Sequence, residues 1–153
     1  MQMWKRRTIG ILAIAGGCVG ILSIALKFPT LLHPSDWAIC GGFAALYAWG
    51  IYCGTKLLEG HLNAVRANLA FWLAQVPAFT SPLVSYRFAC GFRLTAGVQL
   101  APSKFGVDFM FGSSFVFTMF QSVKTIFLDL NLFALAVALI LAQQLRRAGA
   151  ATA

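Results

Sequence analysis

Charged residues punctuate the chain and leave long apolar windows between them. Residues 8–26 run for 19 positions without a charge. As a helix rising ~1.5 Å per residue, that stretch spans roughly the 30 Å of a hydrocarbon layer. A second window, 37–55, carries Trp37, Tyr47, Trp49 and Tyr52, amphipathic rings of the kind that settle at membrane interfaces. The third, 67–86, is poorer, holding Asn68, Gln75, Thr80, Ser81 and Ser85. Pro77 and Pro82 interrupt its hydrogen-bond ladder, which predicts a kinked helix packed against neighbours. The fourth window, 125–145, is charge-free from residue 130 onward and puts Asp129 at the membrane surface, where an acid suits the positive end of a helix dipole.

Between the third and fourth windows the period changes from helical to two. Phe92, Leu94, Ala96, Val98 and Leu100 alternate with Arg93, Thr95, Gly97 and Gln99. After a turn-like 101–106, Val107, Phe109, Phe111, Phe115, Phe117 and Met119 fall on odd positions. This predicts a β-hairpin over 92–119 whose aromatic face, Phe109, Phe111, Phe115 and Phe117, is a candidate interaction surface. An isolated hairpin is marginal in water, so that face should rest on helix ends, on lipid or on a partner. A rival reading makes 105–123 a re-entrant membrane segment, but alternation is stronger there than helical periodicity. The expected fold is therefore an all-α membrane protein in one domain, 1–153: a four-helix transmembrane bundle with a small extracytoplasmic β-hairpin between the third and fourth spans.

Composition points the same way. Hydrophobic residues make up 59% of the chain and charged residues 10%, where soluble domains carry about 25% charged. Too little polar surface is left to cover a core in water. Seven of the twelve cations, Lys5, Arg6, Arg7, Lys56, Arg66, Arg146 and Arg147, fall on one side of the four windows. Lys27, Arg87, Arg93, Lys104 and Lys124 fall on the other. The positive-inside rule then places both termini in the cytoplasm and the chain in a cytoplasmic (plasma) membrane. Its net charge of +8 points to anionic lipid head groups on the cytoplasmic side as partners, and no soluble basic face suggests nucleic acid. A basic start, an apolar run and Ser23-Ile24-Ala25 also permit a signal peptide over 1–25.

Candidate chemistry is sparse. Gly16 with Gly20, and Gly50 with Gly54, make small-xxx-small pairs that predict close helix packing, within the bundle or between copies. Asn68 and Gln75 lie on one face of the third window, and with Asp129 and Asn131 they form a candidate polar seam. Arg87, Arg93 and Lys124 are possible ion-pair partners for Asp129. Cys18, Cys40, Cys53 and Cys90 contain no CxxC pair, although Cys40 and Cys90 could meet near the outer surface. His33 and His61 fall on opposite sides of the expected topology and cannot share a metal. No catalytic set, cofactor motif or metal site emerges. In outline the plan resembles the tetraspanins, but their Cys-Cys-Gly motif is absent and no functional residue carries over. The function expected is that of an accessory or interaction subunit contacting lipid and another membrane protein or itself. A small oligomeric transporter or channel is the alternative, with an enzyme behind both.

Overall fold

The computed structural model describes residues 3–27, 29, 33–100, 103–120 and 125–150. Four helices and six strands follow in the order α1 (Met3–Lys27), α2 (Pro34–Glu59), α3 (Leu62–Leu73), β1 (Pro77–Thr80), β2 (Val84–Ala89), β3 (Phe92–Leu100), β4 (Ser103–Phe111), β5 (Ser114–Met119), β6 (Phe127–Asn131) and α4 (Leu132–Ala150). The all-α four-helix bundle is thereby overturned. Helices share the chain with a six-stranded antiparallel sheet, and among the described residues only α1 and α2 are long and apolar enough to cross a membrane.

Both lost spans have a physical reason. In the third window, Pro77 has no N–H to give and its ring clashes with the carbonyl four residues back, so the helix stops at Leu73 instead of kinking. Pro77 instead opens β1, and Pro82 lies between β1 and β2, both places where a missing donor costs little. At 12 residues, α3 is about 18 Å long and falls well short of a bilayer. In the fourth window Asn131 divides strand from helix. Its side-chain oxygen accepts the backbone N–H of Ala134 at 3.2 Å, capping α4. Asp129 therefore lies inside β6, facing other strands.

Helices α1 and α2 pack tightly because small residues meet across them. A side chain at Gly17 would strike Ile51 and the Tyr47 carbonyl, and one at Gly54 would meet the Gly10 carbonyl at 2.7 Å. At the far end of α2, Gly60 takes the left-handed conformation (φ 91°) and its N–H returns to the Leu57 carbonyl. The chain turns there into α3. Helix α4 starts beside the end of α3, where Trp72 and Phe133 rings lie 5.8 Å apart, and packs back along it. Tyr47, Leu57, Phe71, Trp72, Phe88 and Leu141 are the large fully buried apolar side chains of the resulting core.

The sheet runs β4-β3-β6-β1-β2-β5. Strands β3 and β4 pair from Phe92↔Phe111 to Leu100↔Ser103, so β4 begins within the stretch expected to be a turn. Strand β5 leaves that hairpin and pairs with β2. The small hairpin over 92–119 is thus part of a larger sheet whose middle strands come from the lost spans. Residues 101–102 and 121–124, with Lys124, lie outside the described residues.

Connectivity forces this sheet to curl. Strands β4 and β5 are its opposite edges, which a flat sheet would hold about 24 Å apart at ~4.8 Å per strand. Only Gly112 and Ser113 join them, and such a link reaches roughly 10 Å. The edges must therefore meet at one end. There Gly112 donates to the Gly91 carbonyl at 2.9 Å, bringing the β4–β5 and β2–β3 turns together. This closed end sits halfway along α1. Ser113 Oγ donates to the Gly16 carbonyl at 2.5 Å, and Tyr47 OH to the Ala89 carbonyl at 3.2 Å.

Candidate functional site

Curling separates two chemically opposite faces. One cross-strand row reads Phe117, Tyr86, Phe79, Leu128, Val98, Phe105 through all six strands. The next row, on the other face, reads Thr118, Ser85, Thr80, Phe127, Gln99, Lys104. Polar residues line the concave side. Arg87 on β2 and Lys104, Gly106 and Asp108 on β4 border one cavity although three strands separate β2 from β4. Only the inside of a rolled sheet can bring them together.

This polar trough holds two ion pairs. Arg87 reaches over β1 to Asp129 on β6 at 3.4 Å. Arg93, almost wholly buried, pairs with Asp108 on the neighbouring strand. Thr95 Oγ1 donates to the Asp108 carbonyl at 3.3 Å, and Ser85, Thr95 and Asn131 are buried beside the pairs. Among the described residues, Arg93 Nε and Asn131 Nδ2 are buried without a hydrogen-bond partner, behind the lining of the cavity. Glycine makes the space. Gly97 and Gly106 are paired across β3 and β4. The Asp129 carboxylate lies over Gly97, where any Cβ would collide with it, and around Gly106 there is nothing within 4 Å of the Cβ position. A cavity of about 180 Å³ results.

The convex face is the reverse. On the nine-residue edge strand β4, Phe105, Val107, Phe109 and Phe111 are 72%, 62%, 61% and 81% exposed. Leu128, Leu130 and Val98 extend the same exposed apolar surface over β6 and β3. Toward β2 the convex face is covered, with Phe115 stacked on Phe43 at 4.6 Å and Phe88 against Tyr47 at 5.1 Å. The four aromatic positions expected to act together are therefore divided. Phe109 and Phe111 are exposed, whereas Phe115 and Phe117 pack against the core.

The candidate polar seam is divided as well. Asn68 donates to the Cys53 carbonyl at 2.7 Å, tying α3 to α2. Gln75 accepts the Cys90 N–H at 2.9 Å and holds the β2–β3 turn to the end of α3. Asn131 caps α4, and only Asp129 faces the cavity. Gly16 lies under Cys90 and Gly91, Gly20 under the Tyr47 ring, Gly50 under the Phe71 ring and Gly54 against α1. Each of the four is in contact within this chain. All four cysteines are free thiols.

Lys104, Asp108, Arg93 and the paired glycines were not singled out as a site, because Lys104 and Gly106 fell in the stretch expected to be a turn and the others looked like ordinary strand positions. The signal available was the alternation of 103–111, where Lys104 and Asp108 share a parity opposite to Phe105, Val107, Phe109 and Phe111. Among the described residues no group of three metal-binding side chains forms. Compared with protein-family models, with curated proteins and with solved structures, the chain matches none.

Proposed function

We propose that this chain is a membrane-anchored accessory protein, held by α1 and α2 with both termini in the cytoplasm, that offers edge strand β4 to another membrane protein. One observation carries the reading: β4 is a nine-residue edge strand with a row of large apolar side chains exposed on its convex side. Such an edge is a template for strand addition, in which backbone hydrogen bonds supply affinity and alternating pockets supply selectivity. A partner strand that fits would carry apolar residues toward the convex side and polar ones toward the trough.

Anchoring by α1 and α2 is supported by what surrounds them. Only 39% and 33% of their apolar windows are buried inside the protein, so most of that surface needs another apolar medium. Lys5, Arg6, Arg7, Lys56, Arg66, Arg146 and Arg147 all belong to the end where α1 begins and α2 and α4 finish, which agrees with a cytoplasmic side rich in cations. With the closed end of the sheet halfway along α1, the lower part of β4 falls at hydrocarbon depth. An unpaired strand edge is not tolerated there.

The test is photocrosslinking in native membranes from probes at Phe105, Phe109 and Phe111, with Leu139 as a lipid-facing control. A discrete crosslinked band from the β4 sites, absent from Leu139 and lost when Val107→Pro breaks the edge, supports the reading. Lipid-only crosslinks at every site overturn it. A small transporter or channel comes second, favoured by the polar trough. The trough's lower end is closed by the joined β2–β3 and β4–β5 turns, so a path would have to run between copies, and vesicle flux would reveal it.

A further inference from the structure

Beyond partner binding, we propose that the trough is a binding site for a single phosphate-type monoanion, held beside Gly106 by Arg87 and Lys104. Charge is the first argument. The trough contains Arg87, Arg93 and Lys104 against Asp108 and Asp129. Each acid already has its arginine, and among the described residues Lys104 has no ion-pair partner. One positive charge is left over, in a concavity whose outer wall is apolar.

Size is the second. About 180 Å³ is room for several waters at ~30 Å³ each, but it falls below the ~300 Å³ at which pockets take whole drug-sized ligands. A phosphate group with part of its hydration shell fits. Geometry is the third. Arg87 uses one terminal nitrogen on Asp129 at 3.4 Å and keeps other donors of its fork, the shape that matches two phosphate oxygens. Gly106, with open space at its Cβ position, bares the backbone so that the anion can approach closely, and Thr95 and Gln99 border the same space. Phe105, Val107 and Phe127 form its rim and continue into the exposed apolar face. The phosphate can therefore belong to a lipid whose chains lie on that face, or be free in solution.

The experiment uses the full chain purified in mild detergent. Native mass spectrometry after exposure to phosphatidylglycerol or phosphatidylcholine micelles reads the lipid arm, and calorimetric titration with inorganic phosphate reads the soluble arm. Gly106→Val fills the floor where there is open space, and Lys104→Gln removes the unpaired charge on an exposed side chain. Each variant is expected to bind at least tenfold more weakly with an unchanged unfolding temperature. Retention of phosphatidylglycerol with that loss supports the site with a lipid as its ligand. Binding of inorganic phosphate alone, with the same loss, supports it with a soluble one. No binding of either by the unmodified chain, or binding that survives both substitutions, overturns the proposal.

Discussion

Replacing Gly16 with alanine tests the contact that places the sheet. A Cβ on Gly16 would lie 2.5 Å from the Gly91 nitrogen and 2.7 Å from the Cys90 Sγ and carbonyl carbon. Backbone is the obstacle, so no rotamer change relieves it and the β2–β3 turn must retreat. That turn is tied down by Gly91 N–H to Ser113 Oγ at 3.0 Å, by Ser113 to the Gly16 carbonyl, and by Cys90 N–H to Gln75 at 2.9 Å. Overpacking costs ~1–3 kcal/mol, and each hydrogen bond lost adds ~1 kcal/mol. Against this, alanine gains ~1 kcal/mol over glycine in a helix interior. The net loss is about 2 kcal/mol, which lowers the unfolding temperature of a chain this size by about 4–8 °C. Gly41 supplies the control. It lies on α2 with nothing within 4 Å of its Cβ position, so Gly41→Ala keeps the helical gain alone and raises the temperature by about 1–4 °C. Near-UV circular dichroism on heating in one detergent compares the two. If Gly16→Ala is as stable as Gly41→Ala, the sheet does not rest on α1 at mid-height, and the depth assigned to β4 falls with it.

Three further outcomes are expected. Asn131→Ala removes the cap of α4 and costs ~1 kcal/mol, whereas Asn131→Asp keeps an acceptor and most of the stability; thermal unfolding of the pair decides. Gly97→Ala displaces the Asp129 carboxylate, so in a double-mutant cycle with Asp129→Asn the second substitution should add little to the first. Of the four thiols only Cys18 is exposed, so a membrane-permeable maleimide should label one cysteine in the folded chain and four after denaturation, counted by mass.

The two long helices were legible because their apolar windows, 8–26 and 37–55, are long enough to read without tertiary information; α1 and α2 contain them. Strand β3 was also legible, since nine residues of alternation have no other period. The remaining strands were hidden by averaging. In β2, Val84, Tyr86 and Phe88 alternate with Ser85, Arg87 and Ala89, but half of that run fell inside an apolar window and Arg87 looked like its terminator. In the fourth window the five-residue β6 is fused to the apolar first half of the 19-residue α4, and their summed hydropathy imitates one span. Strand order was out of reach. Arg87 and Asp129 are 42 positions apart, and no local pattern chooses among Arg87, Arg93 and Lys124 as partner to that acid. For the same reason the trough was invisible, because it exists only when β2, β3, β6 and β4 share a concave side.

The confusion between strand and span has a cause in the fold itself. A sheet built for water hides its apolar face and displays its polar one; here Arg93, Thr95 and Ser85 are buried while Phe105, Val107, Phe109 and Phe111 are displayed. Leaving one such side chain in water forgoes ~1.5–3 kcal/mol relative to burial, so the four together forgo about 6–12 kcal/mol, comparable to the whole ~5–15 kcal/mol stability of a domain. Curling puts the charges inside, where Arg87 and Asp129, and Arg93 and Asp108, neutralise one another, and leaves the apolar side for an apolar neighbour. The few inward polar residues of β1 and β6, such as Thr80 and Asp129, are outnumbered by apolar neighbours, so each strand merged in the sequence with the helix beside it.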